Sequence, residues 1–314
     1  MVSRRAVLKA LLTFGAGSTA LAGYALGIEP MWRLRVQTYR FTPPDWPKGL
    51  RLRAALIADR HAGEPQMSVA RIGEIVARAN ALEPDFHLLL GDFEAGHRWL
   101  TRRVPAAEWA AALAPLKAPL GVHAILRNHD WWDDHHAQLR RAGPVIGRVE
   151  LEKHGIRVYE NDAIRLASRG QPFWLAGLAD QLAIDRSYDA SFNKLPQELR
   201  RGRRYSGLDD LPGTLAKIRD DAPVILMAHE PDILAQVTGR VAVTLSGHTH
   251  GGQVRLLGYS PVVPSRFGNR YAYGHVVEEG RHLVVSGGLG CSIMPVRFGV
   301  PPEIVLLELG AAAA

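Results

Sequence analysis

Cysteine is almost missing from this chain of 314 residues, which contains one, Cys291. A single thiol excludes an intramolecular disulfide and a metal site built from several thiolates. We expect Cys291 to be a small buried side chain. Any metal that the chain binds must then take oxygen and nitrogen ligands, a donor set that suits hard and borderline ions.

Acidic residues are fewer than basic residues: the chain has 31 Asp and Glu and 38 Lys and Arg, which gives a formal net charge of +7. The first 22 residues hold Arg4, Arg5 and Lys9 and no acid, so the remainder carries +4. Nucleic-acid binding predicts clustered cations with aromatic partners, and residues 200–204 form the one dense basic cluster. We interpret this cluster as a solvated loop, with contact to an anionic substrate or a membrane surface as the alternative, and expect no specific nucleic-acid partner.

A long apolar run is lacking too, because the best candidate, residues 10–27, contains several Gly, Ser and Thr residues and is marginal for a membrane span. The preceding Arg4-Arg5 pair resembles a twin-arginine export signal, with cleavage after Ala22 or, alternatively, Ala25. We therefore predict a signal peptide at residues 1–27, with an uncleaved membrane anchor as the competing interpretation. Export by the twin-arginine translocase to the periplasm or cell envelope would follow.

Five apolar runs share one design, in which a segment typical of a buried strand ends in residues that can bind a metal. Because ligands bind beyond the carboxyl ends of strands in α/β sheets, these endings predict one polar site formed by residues from five strand ends. The runs and their endings are residues 52–58 with Asp59, Arg60 and His61; 86–90 with Gly91 and Asp92; 122–126 with Arg127, Asn128, His129 and Asp130; 223–228 with His229 and Glu230; and 241–245 with the segment 246–253.

The segment 246–253 reads Ser-Gly-His-Thr-His-Gly-Gly-Gln. Residues i and i+2 of a strand project to the same face, so His248 and His250 can converge on one site. The flanking glycines permit the sharp backbone course that this requires. Taken alone, the pair fits a solvated turn as well as a metal site, but together with the other four endings it favours a metal site.

The ordered set Asp-x-His, Gly-Asp, Asn-His-Asp, His and Gly-His-Thr-His resembles the calcineurin-like metallophosphoesterase superfamily over residues 52–253. The resemblance implies a four-layer αββα sandwich, in which two mixed sheets are flanked by helices. Strands alternate with helical patterns early in the chain and not late, which agrees with two packed sheets. We predict a single domain at residues 28–310, with an insertion or lid at 181–207 and a frayed tail at 311–314, and expect a monomer.

The resemblance also implies hydrolysis of phosphate esters by a metal-bridging hydroxide, with phosphodiesters favoured over monoesters. It implies two divalent ions, for which Mn, Fe, Zn, Ni and Co all suit the nitrogen and oxygen shell. His129 would protonate the leaving alkoxide, and Asp130 would orient His129 or, alternatively, cap a helix near Asp133. The ligand sets are Asp59, His61, Asp92 and His250 for the first ion, and Asp92, Asn128, His229 and His248 for the second.

Three residues depart from the family pattern, and each places charge beside the site. Arg60 and Glu94 stand where apolar residues are usual, and Arg127 stands where glycine is usual. An added guanidinium can bind a phosphate oxygen in bidentate fashion, so we predict substrate contacts for Arg60 and Arg127, with His97 and Trp131 in the same cleft. Pairing of Arg60 with Glu94 would limit the cost of burying them. The rival hypothesis is a metal- or phosphate-binding protein that has lost turnover through these three residues.

Overall fold

Two six-stranded mixed sheets dominate the computed structural model, which describes residues 4–200 and 204–310. Most of the basic cluster at 200–204 and the tail at 311–314 lie outside the described residues. The strands are β1 (Arg35–Phe41), β2 (Leu52–Ile57), β3 (Gly63–Glu64), β4 (Phe86–Leu89), β5 (Arg102–Arg103), β6 (Val122–Ile125), β7 (Arg157–Tyr159), β8 (Asp162–Ser168), β9 (Gln171–Gly177), β10 (Ile184–Asp185), β11 (Tyr205–Ser206), β12 (Val224–Met227), β13 (Val241–Ser246), β14 (Gly274–Glu278), β15 (Arg281–Val285) and β16 (Glu303–Leu309).

The strand order in the first sheet is β1-β16-β2-β4-β6-β7, and in the second it is β14-β15-β13-β12-β9-β8. Strands β2, β4 and β6 run parallel, as do β9, β12, β13 and β15. Parallel neighbours end at the same edge of a sheet. The five ligand-bearing strands are therefore three neighbours in one sheet and two neighbours in the other, and their carboxyl ends can meet.

Helices cover the outer faces of both sheets. The α-helices are α1 (Arg4–Gly23), α2 (Glu29–Trp32), α3 (Val69–Asn80), α4 (Ala106–Leu113), α5 (Asn128–Trp132), α6 (His135–Arg140), α7 (Ile146–Lys153), α8 (Ala190–Asn193), α9 (Gln197–Arg200) and α10 (Leu211–Leu215). Helix α3 shows how the sequence specifies them. Ser68 caps its first turn by accepting a hydrogen bond from the Arg71 amide, and Ile72, Ile75 and Val76 bury one face.

The inner faces of the two sheets pack against each other. One buried cluster contains Leu56 and Ile125 from the first sheet and Ile225 and Leu245 from the second. A second cluster joins the outer face of the first sheet to α3, α4 and α7, and a third joins the second sheet to α10 and the 3₁₀ turn Pro231–Ala235. Burial of each large aliphatic side chain contributes about 1.5–3 kcal/mol to the stability of the fold. The layer order that the three clusters define confirms the predicted αββα sandwich.

The described parts of the segment 181–207 fold over α5 and α6. Strands β10 and β11 pair with each other, and the ring of Trp132 stacks on Tyr205 with centroids 4.3 Å apart. The Gln138 side chain donates to the carbonyl of Ala183 and accepts from the amide of Asp185. These contacts fasten the segment beside the strand ends, where an insertion or lid was predicted.

The chain begins to pack on the domain directly after α1. The carbonyl of Ala25 accepts from the Arg297 amide, and the buried carboxylate of Glu29 accepts from the Val300 amide at 2.8 Å. None of the helices within the described residues has both the length and the apolar character that a bilayer crossing requires. The docked structure therefore starts near Tyr24, slightly before the predicted domain start at residue 28.

His87 should make stability depend on pH. It is fully buried in β4, where its Nε2 lies 3.2 Å from both the Asn80 side-chain oxygen and the Lys117 carbonyl. Burial lowers its pKa to about 4, whereas an unfolded histidine has a pKa near 6.5. The unfolded chain therefore binds more protons between those values, and stability contributed by neutral His87 is lost as the pH falls through that window.

Glutamine at position 87 keeps a donor toward the Asn80 and Lys117 oxygens but does not titrate. We therefore expect the melting temperature of His87→Gln to fall less between pH 7 and pH 5 than that of the parent protein. The exposed substitution His154→Gln is the matched control and should follow the parent protein. Identical pH slopes for His87→Gln and the parent protein would contradict the prediction.

Candidate metal centre

The backbone turns sharply into the site after three of the ligand-bearing strands, β2, β4 and β13. Residues with side chains rarely adopt a positive φ, which costs of order 1–3 kcal/mol at each position, and several such residues together often mark a functional site. Five predicted ligands do so, namely Asp59 (50°), His61 (48°), Asp92 (64°), His248 (70°) and His250 (53°). The backbone thus turns each of these side chains away from the continuing strand direction and toward one place.

Four predicted ligands form one buried cluster. The candidate ligand atoms of Asp59, His61, Asp92 and His250 all lie within 4.8 Å of one another. Nε2 of His61 is 2.7 Å from Oδ2 of Asp92 and 3.0 Å from Nε2 of His250. Among the described residues, Oδ2 of Asp59 has no hydrogen-bond partner. Two carboxylates and two imidazoles directed at one point fit a divalent cation, and they are the set that the family resemblance implies for the first ion.

The protonation states of the cluster favour a cation. Burial lowers the pKa of His61 to about 4 and that of His250 well below the usual range, so both imidazoles are neutral. Nδ1 of His61 faces the Glu94 carbonyl, which only accepts, so its Nε2 keeps the lone pair. Burial and the neighbouring Asp92 raise the pKa of Asp59 well above its usual value, and a bound cation would favour its charged form.

The predicted second set is arranged differently. His229 and His248 lie together, with Glu230 as the third potential ligand of a group whose atoms are within 4.8 Å of one another. The side-chain oxygen of Asn128 and Nδ1 of His248 are buried and have no hydrogen-bond partner in the described part of the chain. The Asp92 carboxylate, which was predicted to join both sets, contacts Arg127 instead of this group.

Arg127 lies between the two groups of ligands. Its side chain is 2% exposed, its Nε contacts Oδ1 of Asp92, and its Nη1 is 3.3 Å from Nε2 of His229. Burial alone would raise the pKa of Asp92, but Arg127 and His61 hold it well below the usual range. Unit charges 4 Å apart repel by about 4 kcal/mol at an effective dielectric constant of 20, and a dication doubles that value. Arg127 therefore places a positive charge where the second ion was predicted.

Asp130 has a different role from the predicted one. Its carboxylate accepts hydrogen bonds from the backbone amides of Arg127 (3.0 Å), Asp92 (3.2 Å) and Phe93 (2.9 Å), so it does not orient His129. The reason is that α5 begins at Asn128, which makes Asp130 the capping-box residue of that helix rather than of one near Asp133. Asp130 therefore joins two ligand loops through their backbones.

His129 borders an open cleft. Its Nδ1 lies 3.7 Å from the Asp133 carboxylate, and its ring is 5.6 Å from that of His61 between centroids. His97 lies in the same cleft, as predicted, although contact with substrate stays a prediction. The cleft has a volume of about 450 Å³, and its lining residues are Gly96, His97, Arg98, Trp99, His129, Ser292, Ile293 and Met294.

Two predicted cleft residues point elsewhere. Trp131 is 2% exposed and packs in the core beneath the first sheet. Successive positions of a helix point about 100° apart, so Trp132 takes the place beside His129 instead. The Arg60 guanidinium is buried over the ring of Phe93, 4.3 Å from its centroid, where cation–π attraction offsets part of the burial cost. The predictions of substrate contact for Trp131 and Arg60 are therefore wrong.

The expected pairing of Arg60 with Glu94 is also not seen. Glu94 accepts a hydrogen bond from the Trp109 indole at 3.2 Å, and the Arg60 guanidinium lies over the Phe93 ring without an ion pair to Glu94 in the ranges 4–200 and 204–310. Burial lowers the pKa of Arg60 to about 9, although the nearby carboxylates of Asp130 and Asp92 act to raise it. Two of the three charged departures thus face the core rather than the cleft.

Sequence reasoning missed two buried polar residues near the ligands, Asp180 and Arg297. Asp180 and Glu230 are neighbours, and burial together with Glu230 raises the pKa of Asp180 well above its usual value. Asp180 follows β9 just as the predicted ligands follow their strands, so the same pattern would have identified it. Arg297 lies 3.2 Å from Nδ1 of His250 and donates to the carbonyls of Gly287 and Val300, and nothing in the local sequence indicates this.

Comparison with known proteins agrees with this geometry. The family model described as calcineurin-like phosphoesterase matches residues 52–252 and confirms the resemblance noted from the motifs. The uncharacterized metallophosphoesterase YkuE of Bacillus subtilis is 31% identical over 63% of this chain. The matched region spans 59% of the length of YkuE. An uncharacterized metallophosphoesterase of Aquifex aeolicus is 27% identical over 88% of this chain and 92% of its own. Phosphodiesterase YaeI of Escherichia coli is 26% identical over 98% of this chain and 100% of its own.

Loss of the Asp92 carboxylate should remove bound metal. We expect Asp92→Asn to be purified with much less divalent metal per chain than the parent protein, because a neutral amide is a weaker ligand than a carboxylate. Elemental analysis measures the metal, and circular dichroism verifies that the variant is folded. Asp162→Asn, on an exposed strand edge, is the matched control and should retain its metal. A folded Asp92→Asn variant with full metal content would exclude Asp92 from the ligands.

Proposed function

We propose that this chain, which belongs to the calcineurin-like phosphoesterase family, is a metal-dependent phosphohydrolase that prefers phosphodiesters to monoesters. The observation that carries the proposal is the buried cluster of Asp59, His61, Asp92 and His250 beside a cleft bordered by His129. Carboxylates and neutral imidazoles at strand ends are ligands for a divalent ion, and a protonatable imidazole in the cleft suits acid catalysis.

A divalent ion held by this cluster supplies Lewis acidity toward a phosphoryl oxygen and lowers the pKa of a water molecule. The protein residues do the rest. Asp92 and Asp59 are buried under the strand ends and keep their carboxylates in place, Asp59 by accepting from the His248 amide at 2.9 Å. Two sheets anchor these loops, so the ligands need little rearrangement before the reaction.

His129 is the proposed proton donor to the leaving oxygen. Its imidazole is part of the cleft wall and rests against Trp132, which leaves it accessible to a bound ester. Burial alone would raise the pKa of Asp133, but His129 and Arg103 hold it below the usual value, so Asp133 is a carboxylate. The Asp133 carboxylate lies 3.7 Å from Nδ1 of His129, close enough to orient the imidazole that would give the leaving oxygen its proton.

Two observations support the preference for diesters. The cleft beside His129 has exposed apolar walls at Trp99, Ile293 and Met294, which suit the second organic substituent of a diester. The similar protein of Escherichia coli carries the name phosphodiesterase. We therefore expect the purified protein to hydrolyse bis-p-nitrophenyl phosphate with a higher kcat/KM than p-nitrophenyl phosphate, as measured by release of nitrophenolate. The reverse order would contradict the diester preference.

The second candidate is a metal- or phosphate-binding protein without turnover, and the contact between Arg127 and Asp92 favours it. A guanidinium that neutralises a ligand carboxylate can lower the reactivity of the centre. The same assay decides between the two functions. Bound metal with no hydrolysis of either ester would support the binding protein and rule out the hydrolase.

Replacement of His129 should affect poor leaving groups most. General acid catalysis contributes about 10²–10⁴-fold, and p-nitrophenolate needs a proton less than phenolate does. We expect His129→Gln to lower kcat for phenyl diesters by at least tenfold more than for p-nitrophenyl diesters, without loss of bound metal. The exposed His136→Gln is the control and should leave both rates unchanged. Equal losses for the two leaving groups would remove His129 from the role of proton donor.

We further propose that the protein is exported by the twin-arginine translocase. The support is the Arg4-Arg5 pair, together with the docking of Ala25 and Glu29, which favours cleavage after Ala22 because the docked segment would then remain. Replacement of Arg4 and Arg5 by Lys should abolish periplasmic accumulation, measured by fractionation and immunoblotting. Arg33→Lys is the control and should accumulate normally. Unchanged export of the double variant would exclude this route.

A further inference from the structure

Arg127 occupies its position because of its neighbours. It precedes α5 with an extended backbone, and its amide is held by the Asp130 carboxylate. A Cβ at Gly91 would lie 3.0 Å from the Cβ of Arg127 and 3.1 Å from its Cγ, tighter than ordinary contact. Glycine at position 91 therefore leaves the space through which the arginine stem passes into the site.

The lone pair that a second ion would need on His229 is already in use. Nδ1 of His229 lies 2.6 Å from the Leu90 carbonyl, so Nδ1 carries the proton and Nε2 is the acceptor. Nη1 of Arg127 lies 3.3 Å from that Nε2 and can only donate. The guanidinium thus takes the coordinating atom of His229, and its Nε contacts the carboxylate oxygen Oδ1 of Asp92.

We propose that this centre binds one divalent ion, held by Asp59, His61, Asp92 and His250, and that the Arg127 guanidinium replaces a second ion. The inference rests on the proposed function and deepens it. Arginine is permanently charged and presents donors in a fixed plane. In the part of the chain that the structure describes, Nη2 of Arg127 has no partner, so it remains free to donate to a phosphoryl oxygen of a bound ester.

Metal counting with Mn²⁺ tests this proposal without reference to activity. We expect the parent protein to bind one Mn²⁺ per chain at saturation by elemental analysis, with the electron paramagnetic resonance spectrum of an isolated ion. Arg127→Gly should double the bound Mn²⁺ to two and give a spectrum with exchange coupling, because neighbouring ions share a ligand. Arg127→Ala, which keeps a side chain at the start of α5, should do the same if the glycine variant does not fold.

The matched control is Arg169→Gly, a substitution at an exposed turn with a φ of 50° that glycine tolerates, and it should bind one Mn²⁺. Two coupled Mn²⁺ ions in the parent protein would overturn the inference, since Arg127 would then move aside. One Mn²⁺ in both the parent protein and the folded Arg127 variants would overturn it as well, because the arginine would not be what limits occupancy.

Hydrolysis of bis-p-nitrophenyl phosphate is measured on the same samples to separate the two proposals. A parent protein that binds one Mn²⁺ but hydrolyses neither ester would refute the proposed function and leave the inference intact. A parent protein that binds two coupled ions and turns over would do the opposite.

Discussion

The contact between the Asp92 carboxylate and positive charge is the interaction on which the site depends. Asp92 and Asp59 are both fully buried, and each raises the free energy of the other when ionised. Like charges 4 Å apart cost about 4 kcal/mol at an effective dielectric constant of 20, before the cost of burial. Both carboxylates can be ionised together only beside cations. Arg127 supplies one of these cations, and the donor set of the first cluster is suited to another.

That electrostatic demand explains why the surrounding fold is so constrained. The strand ends adopt positive φ at five ligand residues, a strain that persists only when the neighbouring structure holds it. The Asp130 carboxylate provides part of this support, because it binds backbone amides of the loop after β4 and of the start of α5 at once. Packing of the two sheets through their inner faces fixes the distance between the loops from either side.

The ligand positions could be predicted from the sequence because the relevant signal is local. An apolar strand followed by Asp or His places that residue at the edge of a sheet, whatever the rest of the fold, and Asp180 obeys the same rule. Side-chain direction is not local. Arg60 turns toward Phe93 and Trp109, and Trp131 rather than Trp132 enters the core, because of packing partners that are distant in sequence. Arg297 contacts His250 from 47 residues away, a pairing that no spacing rule indicates.

Arg127 links the charge of the centre to the charge of its substrate. A guanidinium carries one positive charge where a second divalent ion would carry two, so a centre with one ion and Arg127 neutralises less anionic charge. A phosphodiester has one negative charge at neutral pH, and a monoester approaches two. The smaller charge of a diester would match the smaller positive charge of the proposed one-ion centre, and under the proposed function the apolar cleft beside His129 would hold the substituent that a monoester lacks. A guanidinium is also present whatever the metal supply, so the chain itself supplies part of the positive charge that the Asp92 and Asp59 carboxylates require.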